Sequence, residues 1–270
     1  MLFIFKEVLK NILKITLQMD NNYANYKKYL EDFITLYRTK PISNNEGGMK
    51  FPHMFATYCL LKELNPKLVL ESGVWYGQGT WLIEQTLPQC QIISMDPAPH
   101  VRRYNSPNAF YTTDDITSID WNNFIESKNL TPDDVVVFLD DHQNILNRLE
   151  FLKNFTSLKH ILSEDNYPSS QGDCLSLKKL RMGGEYVLDT PQGKSLHPSP
   201  KNESKYLNSI TDTYREFPPI VKPTHTRWGD LWENVKYPTL PPIYSDVPDY
   251  LKDFESEFKD YTWICYLKLN

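Results

Sequence analysis

Residues 67–80 read Lys67-Leu68-Val69-Leu70-Glu71-Ser72-Gly73-Val74-Trp75-Tyr76-Gly77-Gln78-Gly79-Thr80. Lys67 to Glu71 form a short apolar run of the kind a strand shows when it is covered on both faces. A glycine-bearing turn follows at once, and Trp81 to Thr86 open a helix. In an open α/β sheet, ligands bind beyond the carboxyl ends of the strands. Glycine there lets the backbone approach a cofactor closely, because no Cβ intervenes. The spacing is Glu-x-Gly-x-x-x-Gly-x-Gly, not the Gly-x-Gly-x-x-Gly that aims helix amides at a dinucleotide pyrophosphate. Glu71, Gly73, Val74, Trp75, Gly77 and Thr80 are the candidate cofactor-binding residues of this turn.

Downstream the chain alternates between strands and helices. Further strands are predicted at Gln91–Asp96, Ala109–Thr112, Asp134–Leu139 and His160–Ser163, with an amphipathic helix over Asn144–Phe155. Such alternation argues for a Rossmann-like, doubly wound, mostly parallel sheet. Asp96 ends the second strand about 20 residues after the glycines, where an acid can bind both hydroxyls of a ribose. Asp114 and Asp115 follow the third strand, near where an adenine would lie.

Upstream, residues 20–40 have helical spacing at Tyr26, Tyr29, Leu30, Phe33 and Leu36. Pro41 to Lys50 reads as a loop, and a helix from His53 to Leu64 stops at the breaker Asn65-Pro66. From Ser169 to Ser256 the alternation fails. That stretch is rich in Pro, Ser, Asn and Lys, with Glu185–Leu188 a short strand candidate. A long irregular region in a compact domain is usually functional or disordered, and its Trp228 and Trp232 favour a cover over an active site. Tyr261 to Leu269 reads as a closing edge strand. The expected organisation is a helical extension over 1–64, a binding core over 65–168, an insertion over 169–258 and a closing strand over 259–270.

The 270 residues suit one generous domain. A net charge of -5 disfavours a general nucleic-acid binder, which would carry a basic field. Cys59, Cys90, Cys174 and Cys265 are scattered without a Cys-x-x-Cys pair, so a reducing, cytoplasmic compartment is the simplest reading. The 17 Tyr and 6 Trp can line a pocket for a flat or sugar-like ligand, or simply fill the core. In residues 1–17, Lys6, Lys10 and Lys14 share one helical face opposite Leu2, Phe5, Leu9, Ile12 and Leu13. Such a helix can lie on an anionic membrane surface. The simpler alternative is packing on its own domain, or on a second copy in a homo-oligomer.

Two acidic clusters fall at strand ends. Asp140-Asp141-His142 closes the fourth predicted strand, and Glu164-Asp165 closes the fifth. Neighbouring strands of a parallel sheet lie about 5 Å apart, so Asp140 or Asp141 can meet Glu164 and Asp165. Hard oxygen ligands in this number suit Mg²⁺. Either Asp can instead point outward and cap the next helix. His142 is the candidate general base, since histidine titrates near neutrality. His53, His197 and His225 lie outside this constellation and read as packing or surface residues, with a substrate contact the alternative for His225 in Thr224-His225-Thr226-Arg227-Trp228.

The run Glu71-Ser72-Gly73-Val74-Trp75-Tyr76-Gly77-Gln78-Gly79-Thr80 resembles the first motif of class I S-adenosylmethionine-dependent methyltransferases. More narrowly, it is similar to the macrocin O-methyltransferase and cephalosporin hydroxylase-like group. The resemblance covers roughly residues 67–168. Trp75 stands where the broader family often has Gly. The resemblance implies S-adenosylmethionine as cofactor and O-methylation of a glycan or small-molecule hydroxyl. It further implies a divalent metal held by an acid after the fourth strand and an acidic pair after the fifth: Asp140 or Asp141, with Glu164 and Asp165. A metal-free methyltransferase, a nicotinamide-dependent oxidoreductase and a non-catalytic scaffold of the same fold are the competing readings.

Overall fold

The structure is a computed structural model that describes residues 22–169, 171–182, 185–190, 193–198, 203–227, 229–233, 236–258, 260–261 and 263–270. The amphipathic lysine helix expected over residues 1–17 lies outside these residues.

The strands β1 (Leu68–Ser72), β2 (Gln91–Met95), β3 (Ala109–Thr112), β4 (Val135–Leu139) and β5 (His160–Ser163) fall within a residue or so of their predicted places. They pair in parallel, in the order β3-β2-β1-β4-β5. The helices α2 (Phe51–Leu64), α3 (Gln78–Thr86), α4 (Trp121–Ser127) and α5 (Ile145–Leu152) alternate with them. The central strands are apolar throughout because both faces are covered. Val69, Val136 and Phe138 face one core cluster with α2 and α3. Leu68, Leu70, Val135, Val137 and Leu139 face a second, with α4 and α5. The helix α1, through residues 22–37, presses Tyr26, Leu30, Phe33 and Tyr37 into the first cluster. So the N-terminal helices form a layer of the sheet's own core.

The other end of the sheet departs from expectation. The segment predicted as a closing edge strand forms β11 (Cys265–Leu269), and it lies inside the sheet, antiparallel to β5 on one side and to β8 (Thr211–Glu216) on the other. β8 is therefore the edge, drawn from the stretch read as an insertion. Its sequence Thr211-Asp212-Thr213-Tyr214-Arg215-Glu216 is polar because one edge and much of its surface meet solvent. The same stretch also forms a hairpin, β6 (Glu185–Thr190) with β7 (Gly193–Pro198). It adds the helices α6 (Leu177–Met182) and α7 (Glu203–Ile210), and a short pairing of β9 (His225–Thr226) with β10 (Asp260–Tyr261).

The strand order reverses at β1, whose neighbours are β2 and β4. The crevice outside the carboxyl ends of β1 and β4 is thus the topological switch point, where ligands of this architecture bind. Among the described residues, no helix is long and apolar enough to cross a membrane.

Candidate active site

Gly73 leaves β1 with φ +91°, and a Cβ built on it would lie 1.8 Å from the Asp140 carbonyl oxygen. Only glycine allows the chain after β1 to cross so closely beneath the chain after β4. The Gly73 N–H donates to Met95 O at 2.9 Å and the Asp140 N–H to Ser72 O at 2.8 Å, pinning the crossing on both sides. At Gly77, with φ +92°, a Cβ would lie 2.6 Å from the Tyr104 carbonyl oxygen. Between them Trp75 also adopts a left-handed conformation, φ +49°. This explains why glycine suits that position. Here the indole is held from above, donating to Glu46 O at 2.9 Å and stacking on Tyr76 at 4.6 Å.

Asp96 latches the turn. Its Oδ2 accepts from the N–H groups of Val74 (2.8 Å) and Trp75 (3.0 Å), and its Oδ1 from Ala98 N–H (2.7 Å). Glu71 and Thr80, expected at the cofactor, instead face each other behind the turn. Glu71 Oε2 accepts from the hydroxyls of Thr80 and Ser94, each at 2.6 Å. Burial lifts the Glu71 carboxyl to about 7 against the pull of those two hydroxyls. Both residues support the turn from inside and do not line the cleft in front of it.

That cleft, of about 420 Å³, is walled by Gly73, Val74, Trp75, Asp96, Asp114 and Asp140, among others. Asp115 and Asp141 border it too, but their carboxylates are committed to Arg148, a residue the sequence reading overlooked. The guanidinium grips Asp115 through two bonds, Nη1 to Oδ1 (2.7 Å) and Nη2 to Oδ2 (2.8 Å), and reaches Asp141 Oδ2 through Nε (3.0 Å). It holds the Asp115 carboxyl well below the usual range, against burial. Asp141 also accepts from the Ser72 hydroxyl (2.6 Å) and from Gln143 N–H (3.2 Å). It therefore turns toward β1 and α5, away from the fifth strand.

Asp140 takes the other direction. Its carboxylate, that of Asp165 and the His142 imidazole each offer a ligand atom within 4.8 Å of the others. Asp165 Oδ2 accepts from His142 N–H at 3.1 Å, while its buried Oδ1 has no hydrogen-bond partner. Burial, and then the charge of Glu164, raise Asp140 and Asp165 well above the ordinary carboxylate range. Burying these carboxyls side by side thus disfavours their charged forms unless a cation joins them, and Asp165 Oδ1 is left without a hydrogen-bond partner. The site fits a divalent cation. His142, at φ +53°, places Nδ1 3.0 Å from Asp173 Oδ1. That bond, with Asp165 adding and burial opposing, raises its pKa to about 9. The residue expected as a base is thus held protonated at neutral pH.

Glu164 stands next to Asp165, and both of its buried carboxylate oxygens, like Asp165 Oδ1, have no hydrogen-bond partner among the described residues. It lies buried with His53, whose Nδ1 is 2.6 Å from Glu164 Oε1, and with Arg227, whose Nη1 is 3.6 Å away. Burial alone would raise the Glu164 carboxyl, but His53 and Arg227 hold it below its ordinary value. His53 was read as a packing residue outside the constellation. It is fully buried at the constellation's edge. His225 pairs locally with Thr224, and Arg227, two residues on, is the group of that stretch that reaches the site. It also donates to Tyr167 Oη (2.8 Å) and to Gly47 O.

A second, larger cleft of about 940 Å³ adjoins the first, sharing Gly47 and His142 with it. Its walls come from residues 37–50, from Asp173 and from Arg227. The loop after α1, read only as a connection, is thus a wall of both clefts.

No protein-family model and no curated protein matches this chain. Solved structures do. They include an apo structure of CmcI (18% identity, 47% of this chain and 57% of that chain, TM-score 0.36). Others are a putative O-methyltransferase from Klebsiella pneumoniae (12%, 93% and 89%, TM-score 0.42) and the O-methyltransferase from Bacillus cereus in complex with SAH (10%, 92% and 91%, TM-score 0.43). The chain spans little more than half the length of the CmcI structure. These are likenesses of fold.

Proposed function

We propose that this chain is an S-adenosylmethionine-dependent O-methyltransferase acting on a hydroxyl of a glycan or other small polar molecule. The observation that carries the reading is the glycine crossing at the switch point, latched by Asp96, in a cleft that shares Gly47 and His142 with a second cleft large enough for an acceptor.

In this reading Gly73, Val74 and Trp75 form the floor and side of the donor cleft, while Asp96 and Asp114 meet the ribose and adenine. Asp115 and Asp141 act through Arg148, holding the wall rather than touching the donor. The acceptor enters the larger cleft between residues 37–50 and Arg227. Transfer breaks the bond from sulfonium sulfur to methyl and forms a bond from oxygen to methyl. Sulfur regains its electron pair and the hydroxyl gives up its proton to solvent. Because the leaving group is already charged, the protein's main task is alignment, which can supply up to about 7–11 kcal/mol. Asp140 and Asp165, with Glu164 beside them, would hold a divalent cation, which would lower the pKa of a hydroxyl next to it. His142, protonated at neutral pH, would serve as a base only after giving up that proton.

The test is calorimetric titration with S-adenosylhomocysteine. Saturable binding by the natural chain, lost in Asp96→Ala, supports the reading. No heat from the natural chain under any condition would reject it.

A further inference from the structure

The loop of residues 43–50 walls both clefts, and its tip hangs from two adjacent carbonyls. Glu46 O accepts from the Trp75 indole N–H at 2.9 Å. Gly47 O accepts from Arg227, which also donates to Tyr167 Oη at 2.8 Å. One hook thus belongs to the turn after β1 and the other to the wall of the larger cleft. The loop is fixed at its ends, where Ile42 and Met49 are buried. Between them Ser43, Asn44, Glu46 and Gly47 are exposed, and Gly47 lines both clefts.

Trp75 is a costly residue to place at the first hook. A bulky side chain rarely takes a left-handed backbone, and here φ is +49°. Burial does not account for the choice, since the residue is 42% exposed. What the indole does have is a fixed plane and a directed N–H. It lies nearly flat on Tyr76, at 4.6 Å and 21°, and Arg103 sits 3.5 Å from the Tyr76 ring centre. A Cβ on Gly47 would lie 3.6 Å from the indole nitrogen, so the loop backbone rests against the ring as well as bonding to it. The Trp75 backbone N–H donates to Asp96 Oδ2 at 3.0 Å. Whatever engages Asp96 therefore acts on the same residue whose side chain carries the loop.

We propose that Trp75 is a positioning residue that joins the two clefts: donor bound against Asp96 and the turn stiffens Trp75, the indole stiffens residues 43–50, and the acceptor wall is set only once the donor is in place. The inference deepens the methyltransferase reading and rests on it. Its physical content is a restraint passed on through one side chain, so that the second ligand meets a wall already ordered by the first. The order of events follows: donor enters first, acceptor second. It serves a reaction whose main demand is alignment, where small misplacements of a reacting group are expensive.

The experiment follows hydrogen exchange of residues 43–50 in the full-length protein, free and saturated with S-adenosylhomocysteine. The Gly48 N–H, bonded to Asn45 O at 3.1 Å, is a reporter within the loop. Trp75→Phe keeps a ring on Tyr76 and removes the indole N–H. In the free protein it is expected to speed exchange of the loop about fivefold, the worth of one hydrogen bond. Saturation with S-adenosylhomocysteine is expected to slow the loop about fivefold in the natural chain, the low end of coupling between two sites, and to leave it unchanged in Trp75→Phe. A tryptophan that merely fills space would shift the free and bound forms alike, so the ratio between them is the readout. Trp75→Gly removes the ring and the backbone strain together, which protects the fold, and is expected to lose the same ratio. The assignment is overturned if the ratio survives in either variant, or if Trp75→Phe no longer binds S-adenosylhomocysteine, which would make the ring a donor contact instead. Binding by the natural chain with no slowing of the loop removes this inference alone. Absence of binding by the natural chain removes the methyltransferase reading, and the coupling with it.

Discussion

Gly73→Ala puts the crossing of the two chains to the test. The substitution brings two costs that add. A left-handed backbone costs an L-residue about 1–2 kcal/mol, and at Gly73 φ is +91°. The new Cβ also lands 1.8 Å from Asp140 O and 2.4 Å from Asp140 C. Ordinary carbon contacts lie near 3.5–4 Å, so the strands' exits must part by roughly 1.5 Å. Both atoms struck are backbone, and no rotamer can relieve them. Parting the exits breaks Gly73 N–H to Met95 O and Asp140 N–H to Ser72 O, each contributing about 1 kcal/mol. The total is about 3–4 kcal/mol, or roughly 6–16 °C in Tm at about 2–4 °C per kcal/mol for a chain of this size. Gly229→Ala supplies the control. It sits at φ +86° with nothing within 4 Å of a new Cβ, so it carries the backbone cost alone, about 1–2 kcal/mol. Differential scanning calorimetry of the two variants isolates the collision, and S-adenosylhomocysteine titration follows the donor cleft. If Gly73→Ala melts no lower than Gly229→Ala and binds the donor product as the natural chain does, the close approach of β1 and β4, and the role drawn from it, are wrong.

Two further outcomes are expected. Arg148→Met strands the Asp115 and Asp141 carboxylates. Losing one side of a buried pair costs about 3–5 kcal/mol; because Asp115 is half exposed, about 2–3 kcal/mol is expected from urea unfolding, partly restored by adding Asp141→Asn. His142 has a pKa raised to about 9, chiefly by Asp173. Its proton binds more tightly in the folded state, so the stability it contributes is complete below about 6.5 and drains away as pH climbs through 9. Melting temperature should therefore fall between pH 7 and pH 9.5 in metal-free protein. His142→Gln should flatten that slope, and an unchanged slope would show that other groups set it.

The glycine turn, its strand and Asp96 were legible because their signal is local: an apolar run, a turn that needs φ above zero, and an acid in register one strand later. Strands β1 to β5 were legible for the same reason. What escaped was decided by partners far along the chain. Nothing around Asp140 and Asp141 says which faces the fifth strand. That follows from Arg148, a turn of helix later, capturing Asp141. Glu71 carries the look of a cofactor ligand, yet Thr80 and Ser94 turn it inward. His53 lies 111 residues from the acid it meets. β8 hid because an edge strand carries polar residues on much of its surface, and β11 was misplaced because alternation alone cannot tell an edge from an interior strand. Arg227 had a visible cue, a cation directly before an aromatic in Thr224-His225-Thr226-Arg227-Trp228.

The pairing of His53 with Glu164 bears on how this architecture can be cut and recombined. A chain begun at β1 would retain every strand of the parallel sheet and the whole glycine turn, yet it would lose His53 and strip α1 and α2 from the sheet face that carries Val69, Val136 and Phe138. The donor cleft is therefore not a portable module bounded by its own strands. Any transplant of it, by gene fusion in evolution or by splicing in the laboratory, has to carry α2 along.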